Sequence, residues 1–185
     1  MKTLRIIGTL GVAMIVAVAG LLLRAAPASA AGDVRYENVG NPGWCLDGNG
    51  DDVDADRDGS PAYLHRCNAG NDFQVWTVED WGWMKVKHRK SGKCLRVSSS
   101  NLAVDLGPCA GAGTDWYAAG MNGWVRFFTT AASPLSACLQ PFETWRPGLE
   151  AYPLVANACS RTYPKINQDD LRDVPNIVAW RIRAV

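Results

Sequence analysis

The sequence predicts an all-β domain, a closed barrel built from three repeats with one disulfide in each. Three observations carry that expectation. Cys-Leu recurs at Cys45-Leu46, Cys94-Leu95 and Cys138-Leu139, spaced 49 and 44 residues apart, and self-similarity at a fixed period marks a repeat architecture. Gly, Pro, Asn, Asp and Ser punctuate the chain about every eight to twelve residues, and no segment after Ala31 keeps a long helical period, which is the pattern of short strands and turns. Three copies of a four-strand unit can close on themselves, and closure removes exposed strand edges.

The 185-residue chain opens with a stretch that is not part of the barrel. Lys2 and Arg5 form a basic head, Ile6 to Leu23 is almost wholly apolar, and Ala28-Ser29-Ala30 supplies small residues in an A-x-A arrangement. That order predicts a secretory signal peptide over residues 1–30, cut after Ala30. An uncleaved membrane anchor is the rival reading, because the apolar run is long. Arg24 and Pro27 interrupt it just before the small-residue site. Cleavage removes three of 19 basic residues and no acidic ones, leaving 16 against 18 and a net charge of −2. A balance so near neutral gives no support to nucleic-acid binding or to attraction by anionic membranes. Residues 31–185 suffice for one domain with one core.

The units follow in order, at about 34–80, 81–123 and 124–185. Val34 to Asn38, Trp83 to His88 and Trp124 to Thr129 each alternate as a strand and end in a turn. A second short strand then carries Cys-Leu. A third strand ends near the second Cys of the unit: Tyr63 to Cys67, Leu102 to Cys109 and Leu154 to Cys159. A tryptophan closes each unit, at Trp76, Trp116 and Trp180, and those indoles are expected to fill the barrel. Six cysteines in an exported chain imply a disulfide framework, yet six allow fifteen connectivities. The repeat boundaries choose Cys45–Cys67, Cys94–Cys109 and Cys138–Cys159. Each closes a loop of roughly 15 to 23 residues, worth about 3 kcal/mol in a loop-entropy estimate.

Cys45-Leu46-Asp47, Tyr63-Leu64-His65-Arg66-Cys67 and Gln74-Val75-Trp76 together resemble a repeat of the ricin B-type lectins, which are β-trefoils built from three Cys-Leu-Asp … Gln-x-Trp units. The resemblance covers about residues 34 to 185 and implies a carbohydrate-binding module. In that family the Asp after Cys-Leu accepts hydrogen bonds from sugar hydroxyls, an aromatic ring two places before the second Cys stacks on the sugar, and an Asn-Gln pair completes the contacts. A carboxylate makes strong charge-assisted bonds, and a ring covers the C–H face of a sugar.

Carried over residue by residue, the resemblance places a sugar site only in the first repeat: Asp47, Gln74, His65 at the stacking position, and Tyr63 on the same face. Phe73 stands where the family usually has Asn, with Asn71 or Asp72 as substitutes. In the second repeat Arg96 replaces the Asp, Gly107 the ring, and Asp115-Trp116-Tyr117 the Gln-x-Trp. In the third, Gln140 replaces the Asp, Asn157 the ring, and Val178-Ala179-Trp180 keeps only the tryptophan. That repeat also carries about a dozen extra residues between Cys159 and Trp180, in a loop of the kind that often carries function.

Each residue has a plainer reading beside the functional one. Asp47 could cap the turn at Gly48-Asn49-Gly50, Gln74 could bond backbone inside the barrel, and His65 could be an ordinary surface histidine. Asp54-x-Asp56-x-Asp58-Gly59 has the spacing of a calcium loop, but His65 stands at the twelfth position where the bidentate Glu belongs. A solvated acidic turn is the default there, with Asp54, Asp56 and Asp58 as a weak metal candidate. Trp83 and Trp124 hold matching places in two repeats and are expected in the core. Trp81 and Trp145 lie beside polar turns and are the better candidates for exposed rings.

The chain has no G-x-S-x-G elbow or H-E-x-x-H helix, and its carboxylates follow no pattern that assigns an acid and a base. The expectation is therefore a secreted, extracellular, non-catalytic carbohydrate binder, a monomer without a cofactor, whose partner is a glycan or polysaccharide. The alternative is a protein-interaction module that has kept the scaffold and lost the sugar sites, using the loop from Tyr163 to Ile177 together with Trp145.

Overall fold

The computed structural model describes residues 32–48, 58–78, 82–121, 123–129, 137–142, 147, 150–159 and 176–185. Residues 1–31, where a signal peptide is expected, Trp81, Trp145, Asp54, Asp56 and residues 160–175 all lie outside that set. Among the described residues no helix is long and apolar enough to cross a membrane. They form fourteen strands. The first repeat holds β1 (Gly32–Asn38), β2 (Trp44–Asp47), β3 (Ser60–Pro61), β4 (Tyr63–Arg66) and β5 (Trp76–Val78). The second holds β6 (Gly82–Met84), β7 (Lys87–His88), β8 (Cys94–Val97), β9 (Val104–Gly107) and β10 (Trp116–Met121). The third holds β11 (Trp124–Thr129), β12 (Ala137–Pro141), β13 (Tyr152–Ala158) and β14 (Trp180–Ala184).

The repeats superimpose in register as well as in order. The central hairpin pairs Leu46 with Leu64, Leu95 with Leu106, and Leu139 with Ala156. The closing tryptophan pairs with the opening strand of its own repeat each time: Trp76 with Val34, Trp116 with Met84, Trp180 with Val125. The first and last described strands, β1 and β14, run antiparallel from Val34↔Ala184 to Asn38↔Trp180, and so join the first repeat to the third. β4 meets β13 and β3 meets β9, which ties the first repeat to the third and the second.

Among the described residues a core shared by all three repeats lies inside this frame, with a smaller separate cluster of Cys138, Cys159, Val178 and Ala179. Trp76, Trp116, Trp180, Tyr36, Phe127 and the leucines at 46, 64, 95, 106, 139 and 154 are the shared core's largest fully buried apolar side chains. Tyr36 and Phe127 meet edge to face at 5.0 Å. A buried indole removes about 150–250 Å² from water, so each closing tryptophan stabilises the fold by about 4–6 kcal/mol on the area scale. Each indole N–H also needs an acceptor, and all three find the same one. Trp76 donates to the carbonyl of Leu46 at 3.0 Å, Trp116 to Leu95 at 2.9 Å, and Trp180 to Leu139 at 3.2 Å. The disulfides are the three that the repeat boundaries select: Cys45–Cys67, Cys94–Cys109 and Cys138–Cys159.

Two expectations are corrected. Trp83 is not core but 59% exposed. Met84 takes the inward position, so alternation turns Trp83 out to lie edge-on to Tyr117 at 5.5 Å. Trp124 is half-buried, with the Arg181 guanidinium over its ring at 4.5 Å. The strand expected from Trp83 to His88 is also broken, into β6 and β7. Arg126, on the outer side of β11, is buried with its Nε and Nη1 lacking hydrogen-bond partners among the described residues, and that burial pushes its pKa down.

Glu37 closes the seam between β1 and β14. Its carboxylate accepts from the Gly43 N–H at 2.8 Å and from Arg183 Nε at 2.7 Å, with Arg181 3.8 Å away. Partial burial pushes its carboxyl up, but the Gly43 N–H and the two arginines outweigh burial and hold it below the usual value. A carboxyl lowered in the folded state contributes stability that is present above its unfolded pKa and lost as pH falls through its folded one. Urea titrations of wild type and Glu37→Gln should therefore differ at neutral pH and converge as the pH drops through the carboxylate range. A second outcome concerns the indole bonds. Trp116→Phe should cost about 2–4 kcal/mol in denaturant unfolding, because it orphans the Leu95 carbonyl and leaves a void.

Candidate functional site

The β2–β4 hairpin presents two faces. Leu46 and Leu64 point into the core. One residue away, Asp47, Tyr63 and His65 point to the other side, with Asp47 opposite Tyr63 and Cys45 opposite His65. The segment after β4 then brings two amides to the same place. Asn71 Nδ2 donates to Asp47 Oδ2 at 3.0 Å, Gln74 Nε2 donates to the same oxygen at 3.0 Å, and His65 Nδ1 lies 3.3 Å from it. Tyr63 and His65 lie with ring centroids 5.8 Å apart. All four residues expected at the site are thus brought together, and Asn71 joins them.

Gln74 follows its structural reading and Asn71 its role as substitute, while His65 departs from the reading of an ordinary surface histidine. Gln74 also donates to the Arg66 carbonyl at 2.8 Å, and its Oε1 accepts from the Asn68 N–H at 2.9 Å. It is fully buried, so it is a strut holding the segment after β4 against the hairpin. Asn71 takes the place that Phe73 leaves open: its Oδ1 accepts from the Phe73 N–H at 2.9 Å, capping a 3-10 turn over Asp72–Gln74, while its amide holds Asp47. His65 is no ordinary surface histidine, since it is 9% exposed and faces a carboxylate. Asp47 is itself fully buried. The four groups converge, then, in an enclosed pocket rather than an open one.

His88 is a further organising residue that sequence reading passed over. Its Nε2 lies 3.1 Å from the Phe73 carbonyl and its Nδ1 2.8 Å from Ser91 Oγ. The ring stacks on Phe73 at 5.9 Å, and Lys90 Nζ sits 3.6 Å from the centroid of Phe73. Gly48 passes so close that an added Cβ would lie 2.7 Å from His88 Nε2. The signal for His88 is its cross-strand place opposite Trp76, which only the register supplies.

The other two repeats have different chemistry at the same positions. In the second, Arg96 pairs with the residue opposite it, Asp105, through Nε at 2.8 Å and Nη2 at 3.0 Å. Its side chain lies over Gly107, where a Cβ would come within 2.9 Å of Arg96 Cδ, Nε and Cζ. A ring at 107 would require Arg96 to leave this position and its pairing with Asp105. In the third, Gln140 is half-buried and Asn157 exposed. Of the calcium-loop candidates only Asp58 is described, and it pairs with Lys93 Nζ at 3.2 Å. Among the described residues no group of three His, Cys, Asp or Glu side chains could hold a metal ion.

Three hairpin-and-tryptophan units sharing one core, with a Cys-Leu-Asp pocket in the first, define the β-trefoil class with lectin-type repeats. The model of the ricin-type β-trefoil lectin domain matches residues 28–123, and the chain belongs to that family. Solved structures share the fold. A designed threefold-symmetric protein, ThreeFoil, is 18% identical with a TM-score of 0.62, over 83% of this chain and 99% of that one. A mosquitocidal holotoxin is 15% identical with a TM-score of 0.61, over 83% of this chain, which spans 17% of the toxin. The β-trefoil lectin of the Vibrio vulnificus hemolysin/cytolysin, solved with N-acetyl-D-lactosamine bound, is 16% identical with a TM-score of 0.56, over 84% of this chain and 96% of that one. No curated protein matches the chain.

Removing the Asp47 carboxylate would leave donors from Asn71 and Gln74 aimed at nothing. Asp47→Ala should lower unfolding free energy by about 2–4 kcal/mol, while Asp105→Ala, whose Arg96 partner reaches solvent, should cost about 1 kcal/mol or less. Paired denaturant curves check both.

Proposed function

We propose that this chain is a secreted, non-catalytic carbohydrate-binding module with one family-type sugar site, in the first repeat. The observation that carries this reading is the convergence of His65, Asn71 and Gln74 on one oxygen of Asp47. Of the three equivalent positions, 47, 96 and 140, only the first carries an acid. In this reading Asp47 accepts from a sugar hydroxyl, the paired rings of Tyr63 and His65 meet the sugar's apolar face, and Gln74 and Asn71 position the carboxylate. The sugar approaches over the exposed margin at Asn68, Gly70 and Asp72. A single site binds weakly, since lectins of this kind gain affinity from several sites acting together. Three disulfides suit an oxidising compartment and support secretion.

A glycan array followed by calorimetric titration tests the site, with N-acetyl-D-lactosamine among the first ligands. Asp47→Asn, which keeps the side-chain shape, should lose at least about tenfold in affinity with its fold intact by circular dichroism. An array with no bound glycan, or unchanged affinity in Asp47→Asn, would sink the assignment.

The full burial of Asp47, together with the exposed ring of Trp83, favours a second reading. Here the trefoil is a protein-interaction scaffold whose partner docks on the loop from Tyr163 to Ile177 with Trp145. All but the last two residues of that loop, and Trp145, lie outside the described set. Deleting residues 160–175 would abolish partner capture in this reading and leave any glycan binding untouched.

A further inference from the structure

The core-facing side of the β2–β4 hairpin ends in a surface cleft that no family-type site explains. Trp44 and Arg66 are cross-strand partners at the mouth of the hairpin. Tyr152, on β13, enters beside them because it pairs with Leu64. With Glu150 these residues line a cleft of about 460 Å³, within the range of small-molecule sites. The two rings meet at 5.4 Å and 67°, forming an aromatic corner. The Arg66 guanidinium rests over Trp44, 4.3 Å from its centroid. Among the described residues it has no ion pair or side-chain hydrogen bond, and neither does the Glu150 carboxylate. Glu150 also holds a left-handed backbone, φ 47°, which disfavours any residue but glycine, Asn or Asp. A strained residue whose side chain serves no bond among the described residues invites a functional explanation.

We propose that this cleft is a second carbohydrate site, between the first and third repeats, for a neutral pyranose. The aromatic corner would meet the apolar face of the ring. Arg66 would donate to hydroxyls and Glu150 accept from them, each in a charge-assisted bond. One cation and one anion lining the same cleft match a ligand that carries many hydroxyls and no net charge. A carboxylated or sulfated sugar would gain from Arg66 and be repelled by Glu150. The site is separate from the Asp47 pocket, because strand alternation sets residues 44 and 66 on one side of the hairpin and 47, 63 and 65 on the other. Either site can fail without the other.

The test is a ¹⁵N-correlated NMR titration of the full chain with methyl glycosides of galactose, glucose, mannose and N-acetylglucosamine, and with glucuronic acid. Shifts should centre on the Trp44 indole and the amides of Arg66, Glu150 and Tyr152 with at least one neutral glycoside. Arg66→Ala and Glu150→Gly should each weaken that binding about tenfold or more. Glu150→Gly is the sharper variant, because it relieves the left-handed backbone and should keep or raise the melting temperature while losing the ligand. Asp47→Asn should leave these shifts in place. No shifts at the cleft, shifts only with glucuronic acid, or unaltered binding in both cleft variants would overturn the proposal.

Discussion

The structure depends on one hydrogen bond made three times. In each repeat the closing indole N–H reaches the carbonyl of the leucine that follows the first cysteine. A buried indole cannot leave its N–H unpaired, nor a buried carbonyl go without a donor, without a penalty larger than the bond's net worth. The bond therefore fixes the depth of the tryptophan and the position of the central hairpin together. With the hairpin placed, the disulfide beside it and the register across it follow, and three such units share a single core.

The same bond explains why the outer residues of the hairpin are free to diverge. Leu46, Leu95 and Leu139 are held inward by the tryptophans, so the next position, 47, 96 or 140, faces outward whatever its chemistry. In the first repeat that position is an acid gripped by amides from the following segment. In the second it is an arginine that pairs across the strands with Asp105 and occupies the space above Gly107. The two residues are coupled through packing, since the Arg96 side chain fills the space that a Cβ at 107 would need.

Enclosure of the first-repeat pocket has a similar origin. Phe73, held by His88 and Lys90, cannot supply the polar contact that an asparagine there would. Asn71 makes it from two residues earlier by capping the 3-10 turn. The turn draws Gln74 down onto Asp47 and Arg66, which orders the pocket and buries its carboxylate. Polar satisfaction and access to solvent compete for the same atoms, and the internal bonds have taken most of them.

Much of the fold was legible in the sequence: the three-unit barrel, the disulfide pairs, the burial of Trp76, Trp116 and Trp180, and the equivalence of positions 47, 96 and 140. These follow from periodicity, cysteine spacing and the period-2 alternation of strands, all of them local in the chain. The grouping of Asp47, Tyr63, His65 and Gln74 came from the resemblance to the lectin repeats rather than from spacing, and the structure brings those four side chains together. What the sequence could not carry was the fate of each group once folded. Trp83 looked like core because Trp124 matched it, and only the inward turn of Met84 exposed it. The strut role of Gln74, the double role of Asn71 and the hub at His88 depend on which atoms meet across 15 to 27 residues of chain. The cleft between Trp44 and Tyr152 depends on two repeats meeting. The sequence by itself determined which residues lie on which face. Tertiary structure alone decided which of them remain open to a ligand, because exposure is set by neighbours that strand alternation does not name.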